Sequence, residues 1–312
     1  MLDARNPAEQ RAVVARMCDR AGIGAIWVDD SVPPGPPPPS VDSWTSLAAL
    51  APVVARASLG AMLVTGRRPA PLLAATAAEL AGDRLLEVTF LADGEIRSYV
   101  DEFLARLDAS GGRTAPPRTP PAQLDPSAGR TAPPRTPPAR PTVAVEVGDP
   151  ERLDRERLAW LAGVADDVLV TAADVGRVAE QARELREAFA LAGRDPDSLG
   201  VAVRLPVSIG RTVAEAAARW HAEPAFAALG PPEQAGVFGT LEQCHERVIA
   251  LAHAGVTDLR CVLPNAPDVH DVIAQATAMS VGTVAELAPG APRSPAPPPP
   301  EGWGGRSRFS RR

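Results

Sequence analysis

Short apolar runs and amphipathic stripes take turns along most of this chain, and that alternation constrains its fold more than any other feature. Apolar runs at 23–28, 57–64, 85–91, 142–147, 167–170, 201–205 and 259–263 read as buried strands. Helical periodicity fills 8–21, 44–55, 69–81, 96–108, 150–163, 173–192, 213–222, 241–254 and 268–278. Thr212 with Glu215 and Thr240 with Gln243 have capping-box spacing, and Gly193 and Gly255 stand where helices stop. Strands separated by helices cannot pair as hairpins, so they must cross over and lie parallel, with the helices outside the sheet. Seven such units fall one short of a (β/α)8 barrel.

Proline marks where this pattern is interrupted. Of 35 prolines, 6 lie in 31–40, 10 in 111–141 and 7 in 289–312, so the remainder of the chain has ordinary content. The segment 112–122 recurs letter for letter at 129–139. One duplication cannot build a solenoid, and its composition favours extended polyproline over a core. The expected layout is one barrel domain over 1–288, interrupted by a disordered Pro/Arg-rich insert at 111–141, and a disordered tail at 289–312. Because loop-closure entropy grows slowly with length, shortening 111–141 to a short linker should move the unfolding midpoint by less than about 5 °C in thermal denaturation. A larger drop would show that the insert packs on the barrel.

All 32 basic residues are arginine, which excludes Schiff-base chemistry and a P-loop lysine. The chain carries net −6, yet 111–141 and 289–312 hold five arginines each against a single acid, leaving the remainder near −14. A body that acidic repels phosphate backbones, so no specific nucleic-acid partner is expected. Three cysteines without CxxC spacing read as reduced thiols. No apolar leader and no membrane-length apolar run occurs, so a cytoplasmic protein without a membrane partner is expected. His221, Cys244, His245, His253, Cys261 and His270 crowd the last third, but adjacent helix positions diverge by about 100° and no ligand spacing appears; no metal is expected. Gly22-Ile23-Gly24 lacks a third glycine, and there is no GxSxG elbow.

Four stretches resemble the luciferase-like monooxygenase family in family order. They are AGIGAIWVDDS, then DSWTSLAALAPVVARASLGAMLVTGRRPAPLLAATAAEL, then LAGRDPDSLGVAVRLPV, and finally FGTLEQCHERVIALAHAGVTDLRCVL. The resemblance spans 8–280 with gaps. It implies an α/β fold, a TIM-type (β/α)8 barrel, here lacking the first strand, because the few residues before the first helix do not read as one. It also implies an oxidoreductase using FMN or the deazaflavin coenzyme F-420 at the C-terminal ends of the strands, with a small-molecule substrate. A homo-oligomer or a paralogue partner stays open, as does a second function class, a catalytically inactive barrel serving as scaffold.

Residue by residue, the resemblance implies acid or base roles for Asp30 and Glu95. Leu63, Val64 and Thr65 would press backbone against the cofactor ring, and Gly148 and Thr171 would hold its phosphate. Several family features are altered. The Asp-His after the second family strand reads Asp30-Ser31, and no histidine precedes His221. Phe90 and Leu91 stand where glycines give room. Asp149 follows Gly148 where a second glycine is usual, setting a negative charge against a phosphate. Asp29 and Asp30 alternate on a strand end, so only one of them can face the barrel mouth.

Overall fold

The computed structural model describes residues 8–29, 43–81, 86–91, 96–109, 141–147, 154–171, 174–264 and 269–287. Helix α1 (Ala8–Ala21) leads into β1 (Ala25–Asp29), and α2 (Ser43–Leu50) into β2 (Ser58–Val64). Next come α3 (Ala70–Ala81), β3 (Leu86–Leu91), α4 (Ile96–Ala109) and β4 (Thr142–Glu146). The second half holds α5 (Arg155–Val164), β5 (Asp167–Val170), α6 (Val175–Leu191), β6 (Gly200–Gly210) and α7 (Val213–Ala222). Two single-turn helices, α8 (Pro224–Ala227) and α9 (Pro232–Ala235), precede β7 (Val237–Thr240), α10 (Leu241–His253), β8 (Asp258–Val262) and α11 (Val269–Leu287).

Every ladder is parallel, in the order β1-β2-β3-β4-β5-β6-β7, with β8 also on β6. β3 pairs directly with β4, so the sheet runs straight across the sequence interval that holds the proline-rich repeat. The eighth strand, β7, is absent from the sequence reading. It has four residues, and Gly239 within it adopts φ +125°, so neither length nor composition announces it. It forms because β6 is eleven residues long: 202–206 pair with β8, and 207–210 run on to pair with β7. The last helix likewise extends to Leu287, beyond the expected 278.

The sheet is strongly curled. In a flat sheet β1 and β6 would be five spacings apart, roughly 24 Å. Yet Asp29 on β1 and Arg204 on β6 form an ion pair at 2.8 Å, a reach the two side chains can cover only across the inside of a barrel. Between β8 and β1 no ladder occurs among the described residues, the position where the sequence lacks a first strand. Outside that seam α1 touches both α2 and α11, so the helix layer continues over it.

Strand alternation divides the core. One face of each strand (Val28, Leu63, Val88, Val145, Val168 and Val203 among them) joins the helices in one large apolar cluster. The other face points into the barrel, where Trp27, Met62, Leu91, Leu169 and Ala202 make a second, smaller one. Capping follows the sequence in part. Thr240 and Gln243 form a reciprocal box. Thr212 Oγ1 accepts the Glu215 N–H at 3.2 Å, but the Glu215 carboxylate takes the N–H of Arg211, one residue before the cap. An element not foreseen is the Asp19 carboxylate at the end of α1. It accepts the backbone N–H groups of Ala55, Arg56 and Ala57 at 3.0, 2.8 and 2.8 Å, fixing the chain as it enters β2. No helix among the described residues is long and apolar enough to cross a membrane.

Candidate functional site

Register defines what the barrel interior contains. Trp27 and Asp29 on β1, Met62 and Val64 on β2, Thr89 and Leu91 on β3, Glu146 on β4, Leu169 on β5, Arg204 on β6 and Arg260 on β8 share the inner face. Asp29, Val64, Leu91 and Glu146 are the last residues of their strands, so they stand at the C-terminal mouth. That end is where barrels of this type carry their chemistry.

The mouth combines an apolar wall with paired charges. Asp29 is buried at 4% exposure and held by Arg204, which is 28% exposed and so reaches solvent. Arg260, the register partner of Arg204 on β8, is almost wholly buried. Its guanidinium lies 3.8 Å over the Trp27 ring, donates through Nε to Asp258 at 3.1 Å, and through Nη1 to Thr89 Oγ1 at 2.6 Å. Gly60, opposite Trp27 in register, makes this stack possible: a Cβ there would fall well inside contact distance of the indole.

The sequence-derived candidates divide three ways. Leu63 turns its side chain outward into the helix-facing cluster, so only its backbone is available to the mouth. Val64 faces inward beside the interior cluster, and Thr65 follows it, half-buried. Thr171 is exposed just beyond the end of β5. Asp30, Glu95 and Gly148, with Asp149, lie outside the described residues. Asp29, the described one of the two successive aspartates, lies inside the barrel.

Arg204, Arg260 and Glu146 were not singled out from the sequence. Their signal was present, because a charged residue inside a short apolar strand (VAVRLPV, DLRCVL) has to be accommodated by a partner. All four histidines lie on the outer helices: His221 on α7, His245 and His253 on α10, and His270 on α11. Among the described residues no group of three or more His, Cys, Asp or Glu could hold a metal ion. Cys18, Cys244 and Cys261 form no disulfide among the described residues. Burial raises the Cys18 thiol and pushes Cys244 up to about 12, helped by nearby Cys261, so neither is a thiolate at neutral pH.

Neither a family model nor a curated protein sequence matches this chain. Solved structures do match in fold. A coenzyme F-420 dependent tetrahydromethanopterin reductase from Methanopyrus kandleri superposes with a TM-score of 0.61 at 16% identity, covering 88% of this chain and 95% of that one. A long-chain alkane monooxygenase gives 0.63 at 13% identity, covering 88% and 84%. A riboflavin lyase, solved with modified FMN and riboflavin, gives 0.64 at 15% identity, again covering 88% and 84%. With its all-parallel curled sheet, outer helices and near-complete overlap with these enzymes, the chain has the fold of the luciferase-like monooxygenases.

Proposed function

We propose that this chain is a luciferase-like oxidoreductase that takes FMN or coenzyme F-420 in the barrel mouth and acts on a small organic molecule. The observation that carries this reading is the pairing of an apolar wall with a solvent-reaching ion pair at the C-terminal strand ends. Val64, Leu91 and Leu169 supply the wall, and Asp29 with Arg204 supplies the charges. A planar apolar ring that gains negative charge on reduction fits such a surface, and when bound it would supply the hydride exchange or oxygen activation. The residues of the chain would do the remaining work. The backbone of Leu63, Val64 and Thr65 would flank the ring, and Thr171 with Gly148 would hold the phosphate. Arg204 keeps Asp29 in place, and proton handling falls to carboxylates, because no strand of the barrel carries a histidine. Asp29 and Glu146 are the carboxylates of the described mouth, Asp29 taking the place first read for Asp30, and Glu95 completes the proposed set.

Titration of the purified chain with FMN, F-420 and riboflavin, read by cofactor fluorescence, tests the proposal. Asp149→Gly should tighten FMN and F-420 about tenfold by removing like-charge repulsion, and leave riboflavin, which has no phosphate, unchanged. Equal changes for all three would remove Asp149 from the phosphate site. A second reading, a non-catalytic barrel acting as scaffold or as partner of an active paralogue, is favoured by the placement of every histidine on the outer helices. Absence of binding by all three ligands, before and after the substitution, would select it.

A further inference from the structure

Arg260 is a cation without enough acceptors. Its side chain is 1% exposed, so its N–H groups have no water to fall back on. A guanidinium carries five N–H donors. One goes to Asp258, itself 45% exposed, and one to the neutral hydroxyl of Thr89. Among the described residues, the buried Nη2 has no hydrogen-bond partner. Thr89, fully buried, accepts from Arg260 with its hydroxyl oxygen, and among the described residues its own O–H has no acceptor. The next inward-facing cation in register, Arg204, is bound to Asp29. Another buried acid, Asp167, aligns with Gly200, four residues and roughly 13 Å down β6 from Arg204, so it belongs to the floor of the barrel. Glu87, the inward-facing residue two before Thr89 on β3, is a nearer carboxylate, yet neither it nor Asp167 reaches Nη2, so the unused donors of Arg260 and Thr89 lie together beside the Trp27 ring.

We infer that Arg260 and Thr89 form a receptor for an oxyanion, the carboxylate or phosphate group of a small acid entering from the barrel mouth. Charge-assisted N–H bonds from a guanidinium held flat against an indole suit a planar or tetrahedral oxyanion, and a third contact comes from the threonine hydroxyl. Arg204 marks the route, because it stands beside Arg260 in register and is partly open to solvent. The site does not depend on the cofactor reading: it needs only the chain's own side chains.

Calorimetric titration of the full chain, without any cofactor, with sodium acetate and separately with inorganic phosphate tests it, each against sodium chloride at equal ionic strength. Saturable binding of at least one anion in the millimolar range is expected, weakened at least tenfold by Arg260→Gln and by Thr89→Val. Tighter acetate would assign a carboxylate, and tighter phosphate a phosphoryl group. Thr89→Val keeps shape and charge, so it carries the test if Arg260→Gln fails to fold. Saturation by neither anion, or unchanged affinity in folded Thr89→Val, overturns the inference and leaves the cofactor proposal untouched.

Discussion

Replacing Asp19 by alanine should cost about 3 kcal/mol of stability and lower the unfolding midpoint by roughly 6–12 °C. Three backbone N–H groups, those of Ala55, Arg56 and Ala57, converge on this one carboxylate. Hydrogen bonds to a charged acceptor contribute about 1.5–3 kcal/mol each, but they share one group and two of the donors are only partly buried, so the sum is well below three times that value. Burial works against the Asp19 charge, yet the N–H groups of Ala57, Ala55 and Arg56, with the Arg56 cation, outweigh it and hold the carboxyl below its ordinary value. A carboxyl lowered in the folded state stabilises the fold above its unfolded value, and that contribution is lost as pH falls through the folded one. Wild type should therefore lose stability faster than Asp19→Ala on acidification below about pH 4. Parallel slopes in chemical denaturation at pH 7 and pH 3 would show that the carboxylate does not carry the loop.

Gly60→Ala should be comparably damaging, at about 2–3 kcal/mol, although it adds a single methyl group. A Cβ on Gly60 collides with the Trp27 ring, which is 4% exposed and covered on one face by the Arg260 guanidinium. The indole has no open direction, so accommodating the methyl must disturb the stack, and with it the level of the barrel where Arg204 and Arg260 sit. Denaturant unfolding measures the loss, and a change in native tryptophan emission should accompany it. A variant with wild-type stability and emission would mean that the strand can shift to accept the methyl, and that Gly60 is not what seats Trp27.

Much of the architecture was legible before any coordinates, for reasons that lie in local chemistry. A strand buried on both faces needs an unbroken apolar run, and a helix against a sheet needs a stripe, so the seven runs and their helices could be read residue by residue. The parallel order followed, because a helix between two strands forces a crossover. β7 escaped because its stability is borrowed. Four residues around a positive-φ glycine are a strand only where the long end of β6 offers an unpaired edge. Likewise, no local pattern shows that the Asp19 carboxylate will meet the amides of 55–57, since that contact spans more than thirty-five residues.

The sequence by itself determined the strand–helix rhythm, the inward–outward alternation along each strand, and the absence of an imidazole before His221. Alternation alone required that either Asp29 or Asp30 face the mouth, but the register of β1 on β2 was needed to place Asp29 inside. Only the tertiary structure brought Asp29 to Arg204, and Arg260 to Thr89 and Trp27, across 171 to 175 residues of chain in the two hydrogen-bonded pairs. The physical reason is curvature. A side chain's partner within its own strand or helix is set by spacing along the chain, whereas partners across a barrel are set by how far the whole sheet curls, which is a property of all the strands together.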